Sequence, residues 1–173
     1  NLGNQFNTSN VINMYQMFFY TGRNSTVFTL NLGNEFNTSN VTNMSWMLSN
    51  TGYSSTVFTL NLENEFNTSN VTRMNNMFSS TGYSSTVFTL NLGNEFNTSK
   101  VTNMTQMFLN TGYSSSWTLN LKSFDFSKVG SNYSNFFRTR TSSNILTVLC
   151  STTNGDFINA RVSGRTGYNV VCS

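Results

Sequence analysis

Apolar and polar positions alternate in short bursts that recur every 30 residues, in copies starting at residues 1, 31, 61 and 91. Within one copy, Val57-Phe58-Thr59-Leu60-Asn61-Leu62 has a period of two. Phe58, Leu60 and Leu62 therefore share one face, and Val57, Thr59 and Asn61 the other, which is the pattern of a half-buried strand. The other half of the copy, Ser39 to Leu48, sets Val41, Met44, Met47 and Leu48 at the spacing of one helical face. This predicts a helix of about three turns or fewer. Thr38 or Ser39 is a suitable N-cap, and Gly52 a suitable stop, because glycine adopts left-handed backbone at little cost. The recurring methionines then fill the space between sheet and helix rather than ligating a metal or haem.

A fixed period in this range means a solenoid whose units bury their apolar faces against one another. The expected fold is an α/β repeat solenoid: a leucine-rich-repeat-like, right-handed coil. Each 30-residue repeat supplies one parallel strand and one short helix, and a β-rich cap closes the C-terminal end. Residues 1–121 hold the four regular repeats. Residues 122–137 are a decayed fifth, preceded by Ser116-Trp117-Thr118-Leu119-Asn120-Leu121, which brings the strand one residue early. Residues 138–173 are divergent, and Ile145–Leu149, Phe157–Val162 and Tyr168–Val171 read as three cap strands.

The repeated letters Phe-Asn-Thr-Ser-Asn-Val-Thr-Asn-Met-Ser-x-Met, at Phe36 to Met47 and again in the other copies, resemble the BspA-like leucine-rich-repeat proteins of microbial cell surfaces. The resemblance covers residues 1–121 and the decayed fifth copy. It implies an exported solenoid used for adhesion or surface structure rather than catalysis. The chain departs from the family where its Asp before Thr-Ser becomes Asn7, Asn37, Asn67 and Asn97, returning only as Asp125. It departs again where the family's Cys after the helix becomes Arg23, Tyr53, Tyr83 and Tyr113.

Composition narrows the chemistry. Only 9% of residues are charged and there is no histidine, so neither a Ser-His-Asp nor a Cys-His set exists. Asp125 and Asp156 belong to no catalytic motif, and the expectation is a protein that is not an enzyme and carries no cofactor or metal. Glu35, Glu65 and Glu95 form one column, read as a solvated acidic stripe because one carboxylate per coil supplies few of the oxygens Ca²⁺ requires. The charge of +3 is uneven: residues 122–173 hold Lys122, Lys128, Arg138, Arg140, Arg161 and Arg165 against two acids. That is too sparse for nucleic acid, but it suits an acidic partner or the acidic end of another copy. No apolar run reaches the roughly 18 residues of a membrane span. No signal peptide is legible at Asn1. Cys150 and Cys172 suggest a disulfide worth about 3 kcal/mol in an extracellular or cell-surface setting, with two buried thiols as the alternative.

Ten Asn-x-Ser/Thr triplets occur, against about nine expected by chance from the asparagine content, so placement decides which suit a glycan. Asn7, Asn37, Asn67 and Asn97 lie in the turn, where a sugar or a stacked amide ladder fits. Asn43 and Asn103 lie on the flank of the expected helix, Asn24 in a loop that only the first repeat makes glycosylatable, and Asn132 in the fifth copy. Asn40 and Asn70 fall beside the apolar stripe and are poorer acceptors. Trp46 stands where other repeats have Gln16, Asn76 and Gln106, and could stack on a sugar or a partner.

The chain opens at Asn1-Leu2, halfway through a strand. An open solenoid end is a template for another chain. The leading expectation is a glycosylated surface fibre built head to tail. The end at Asn1 and Leu2 would be completed by Asn144, Ile145, Leu146, Thr147, Val148 and Leu149, or by Tyr168, Asn169, Val170 and Val171, of the next copy. The alternative is an adhesin whose solenoid face recognises glycans or proteins of a host or neighbouring cell.

Overall fold

The computed structural model describes residues 6–32, 36–62, 66–93, 95–141 and 143–173. Strands β1 (Val27–Asn31), β2 (Val57–Asn61) and β3 (Val87–Asn91) pair in parallel, each residue beside its equivalent one repeat away. Phe58, Leu60 and Leu62 are fully buried, as their alternation predicts. The phenylalanine column Phe28, Phe58, Phe88 stacks with ring centres 5.6 and 5.1 Å apart. The fold is a parallel β-solenoid, and each buried Phe, Leu or Met contributes roughly 1.5–3 kcal/mol to it.

The helix expected in each repeat is replaced by a run of tight turns. Thr51, Ser49 and Met47 each donate their N–H to the carbonyl three residues back. The intervening N–H groups of Met44, Trp46, Leu48 and Asn50 point along the stack, to the carbonyls of Arg73, Asn75, Met77 and Ser79 in the next coil. Trp46 and Asn50 have φ of 60° and 57°, and their equivalents in the other repeats match them. The reason is spacing. Adjacent coils are about 5 Å apart at their stacked rings, whereas packed helices need axes about 8–10 Å apart. A helix would also use its N–H groups internally and leave none to join the coils. Met44, Met47 and Leu48 remain buried, so the column faces the core as expected while the backbone carrying it differs. Gly52 and Gly82 take φ of 57° and 55° in these turns, and a Cβ on Gly82 would lie 2.6 Å from the Phe88 ring.

The β-ladder breaks once. β4 (Trp117–Asn120) pairs with β5 (Leu146–Cys150), which pairs with β6 (Tyr168–Cys172), but among the described residues β3 and β4 are not joined. The break coincides with a local change in sequence: the valine before Phe58 and Phe88 has no counterpart before Trp117, whose ring lies 4.7 Å from that of Phe88. On the turn side the stack runs on without interruption, with Met104, Gln106 and Phe108 donating to the carbonyls of Asn132, Ser134 and Phe136. Phe157–Val162, read above as a strand, lies instead in helix α1 (Gly155–Val162). Asp156 in its first turn and Arg161 in its last suit the helix dipole. Ile158 is buried, and Phe157 stacks on Phe126 at 4.0 Å. No helix among the described residues is long and apolar enough to cross a membrane.

Candidate functional site

The two ends of the stack hold the features that its middle lacks. At the C-terminal end, Cys150 and Cys172 are register partners on β5 and β6 and form a disulfide, with Cα atoms 4.4 Å apart. β5 is paired on both sides, so Leu146, Thr147, Val148 and Leu149 have no free strand edge, and Asn144 and Ile145 lead into it. β6 is the outer strand, and its inner residues Tyr168, Val170 and Cys172 are only partly covered. Leu146 donates its N–H to Gly167, and Ser173 donates to Cys150. Because backbone groups alternate sides along a strand, Asn169 and Val171 bond toward β5, and those of Tyr168, Val170 and Cys172 face outward.

Arg140, which no sequence pattern singled out, closes the turn side at this end. It is 4% exposed. Its guanidinium donates to the carbonyls of Thr111 (3.0 Å), Gly112 (2.6 Å), Tyr113 (3.2 Å) and Ser115 (2.5 Å). The equivalent carbonyls Thr81 and Tyr83 instead accept from Gly112 and Ser114 of the following coil. Arg140 thus stands in for a missing coil, and burial lowers its pKa. Tyr168 is held nearby, its hydroxyl donating to the Arg138 carbonyl, and burial pushes its pKa up to about 12.

At the other end, Asn1 and Leu2 lie outside the described residues. Among the described residues β1 is the outer strand here, and Val27 is 63% exposed. The first coil places Ile12, Tyr15 and Tyr20, all exposed, where the second has Thr42, Ser45 and Asn50. Phe19 packs against Tyr20 at 4.2 Å and meets the edge of Trp46 at 6.0 Å. Arg23 lies over Tyr20 at 4.7 Å. Trp46 is half-buried within this aromatic group.

A family described as "Mycoplasma protein of unknown function, DUF285" matches residues 2–82 and 23–148, which is most of the chain. The chain belongs to that family. No curated protein and no solved structure matches it. The repeats of this DUF285 chain account for the match, and the cap from residue 149 lies beyond it.

The asparagines of the DUF285 repeats divide by hydrogen bonding. The Oδ1 atoms of Asn7, Asn37, Asn67 and Asn97 accept from the N–H two residues on, at 2.8–2.9 Å, and Asp125 repeats the bond to Ser127. Asn43 and Asn103 make the same bond, to Ser45 and Thr105. Each closes a local turn through its oxygen. Asn132 uses its Nδ2, the atom a glycan would join, to bond the Thr102 carbonyl. Asn40 is exposed rather than turned inward, yet its Nδ2 is likewise bonded, to Ser9, as that of Asn70 is to Ser39. Asn24 is exposed, and its side chain makes no hydrogen bond among the described residues. In the acidic column, Glu95 is exposed, and Glu35 and Glu65 lie outside the described residues.

Proposed function

We propose that this chain is a non-catalytic, extracellular structural repeat protein that associates end to end through its outer strands. The observation that carries the reading is the outward edge of β6, lying at the opposite end of the stack from the edge that β1 presents at Val27 and Thr29 among the described residues, with the strands of each sheet parallel. Joining β6 of one copy to β1 of the next extends the internal register, in which Leu146 sits beside Tyr168. Tyr168 then stacks on Phe28, and Val170 on Leu30. The Tyr168 N–H donates to the Val27 carbonyl, and the Thr29 N–H donates to Tyr168. Because the contact is heterologous and does not close, it propagates as a filament. A disulfide suits an oxidising compartment, and the resemblance to BspA-like surface proteins points the same way. Asn24 is the favoured glycan position.

Negative-stain microscopy of the chain alone, with and without Val170→Pro, tests the reading. Proline removes an outward N–H from β6 without touching the bonds to β5. Filaments from the parent chain and single particles from a folded V170P are expected. Filaments from both, or from neither, contradict the proposal.

A second reading rests on the aromatic group of Phe19, Tyr20 and Trp46, which suits an adhesin contact, since aromatic residues and Arg anchor binding surfaces. Loss of cell-surface binding by Trp46→Ala in non-assembling V170P would favour it.

A further inference from the structure

Two clefts adjoin on the C-terminal module, apart from the strand edges. One, of about 230 Å³, is bordered by Tyr133, Ser134, Asn135, Arg161, Ser163 and Arg165, among others. The second, of about 540 Å³, is bordered by Gln106, Leu109, Asn135, Arg138, Thr139 and Arg165. Asn135 and Arg165 border both, so the clefts are neighbours, with Arg161 on one, Arg138 on the other and Arg165 shared. No carboxylate borders either, and no ion pair engages these arginines among the described residues.

Arg161 is fixed in place. Its guanidinium lies 3.7 Å from the centre of the Tyr133 ring and 3.9 Å from that of Phe157. Its Nη1 reaches the Phe157 carbonyl at 3.4 Å, and its Nε is buried without a partner. A cation held between two aromatic faces has lost little further freedom when a ligand arrives. Asn135 adopts a left-handed φ of 50° at the junction of the clefts. The remaining rim offers hydroxyls and an amide from Ser134, Ser163, Thr139 and Gln106, beside the apolar Phe136, Phe137, Ala160 and Leu109.

From this arrangement we propose that the cleft pair binds an acidic polysaccharide, with anionic groups on successive sugars at Arg161, Arg165 and Arg138 and sugar hydroxyls on the amide and hydroxyl rim. Planar guanidinium groups suit sulfate and carboxylate oxygens. The larger cleft, of about 540 Å³, falls within the range of ligand sites, about 300–1,000 Å³. Separated cations call for a ligand with several anionic groups rather than one small ion. Nucleic acid fits poorly, because single-strand binding needs free aromatic faces, whereas Phe136 and Phe137 are buried here and Tyr133 is covered by Arg161. The proposal does not depend on end-to-end association.

The test is calorimetric titration of the full chain with a sulfated hexasaccharide of the heparin type, using V170P to keep assembly out of the measurement. Binding that weakens as salt is added is expected, with none to a neutral hexasaccharide. Arg138→Gln with Arg165→Gln should weaken it about tenfold or more, whereas Lys122→Gln with Lys128→Gln, removing the same charge, should change it less than about twofold. Equal losses from the two double variants would overturn the site. So would binding of inorganic sulfate, single-stranded DNA or anionic vesicles as tight as that of the hexasaccharide, or no binding at low salt. Arg161→Lys provides a separate check: it keeps the charge but loses the stacked fork, and should weaken the sulfated ligand while leaving the unfolding midpoint close to the parent's.

Discussion

The carbonyls of Thr111, Gly112, Tyr113 and Ser115 face a side of the stack where the runs of turns have ended, and one guanidinium satisfies all four. Replacing Arg140 with Met leaves buried acceptors with no donor. The expected loss is about 3 kcal/mol in urea unfolding, with Lys recovering only part because it has no planar fork. A loss below about 1 kcal/mol would show that the carbonyls find other donors. Tyr168 makes a separate prediction. Its pKa is raised to about 12, so the folded state keeps a proton that the unfolded chain releases near the ordinary tyrosine value. Its contribution, at most about 3 kcal/mol, is complete below about pH 10 and is lost as pH rises through about 12. The stability difference between the parent and Tyr168→Phe should narrow over that interval, and a constant difference would refute the assignment.

Among the elements, the strands were readable because alternation in Val-Phe-Thr-Leu-Asn reports directly which side faces the core, and burial follows it residue by residue. The turns were not. Met44, Met47 and Leu48 are spaced as on a helix, and an extended run of turns can bury the same residues, so periodicity alone does not separate the two. Left-handed backbone usually announces itself through glycine or asparagine. Here Gln16, Tyr20, Trp46, Ser80 and Gln106 adopt it, held by bonds to the next coil, and these residue types give no warning. What the sequence did contain was the near-identity of the polar columns, which a stack about 5 Å per coil requires on every side. The sequence offers residues 144–149 and 168–171 as alternative outer strands, and only the pairing of β5 on both sides separates them. Arg140 left no mark, since a buried arginine bonded only to carbonyls has no motif. Far-UV circular dichroism checks the element-level account: with the only α-helix among the described residues being the eight of α1, the spectrum should be that of strand and turn. A strong helical band, as from a helix in every repeat, would contradict it.

At the scale of the molecule, order is carried by columns of like side chains. Tyr53, Tyr83 and Tyr113 stack at 4.9 and 5.1 Å, with Arg23 near one end and Arg140 near the other. A coil is enclosed where strands pair on both sides of it: Phe58 and Leu60 are fully buried, whereas Phe28 and Leu30 on the outer strand are 9% and 7% exposed, and Phe88 and Leu90 beside the break in the ladder are 8% and 9% exposed. The proposed end-to-end association would cover the outer strand at each end in the way that β1 and β3 cover β2. The native Cys150–Cys172 pair shows that register partners on adjacent parallel strands of this solenoid can be bridged. The proposed junction sets Asn169 of one copy beside Thr29 of the next, both facing outward and exposed. The decisive measurement is oxidative cross-linking of a mixture of Thr29→Cys and Asn169→Cys chains. The account predicts a disulfide between the two introduced thiols, joining one chain of each variant, formed in the mixture and from neither variant alone. No cross-link in the mixture, or equal cross-linking within either variant by itself, would contradict it.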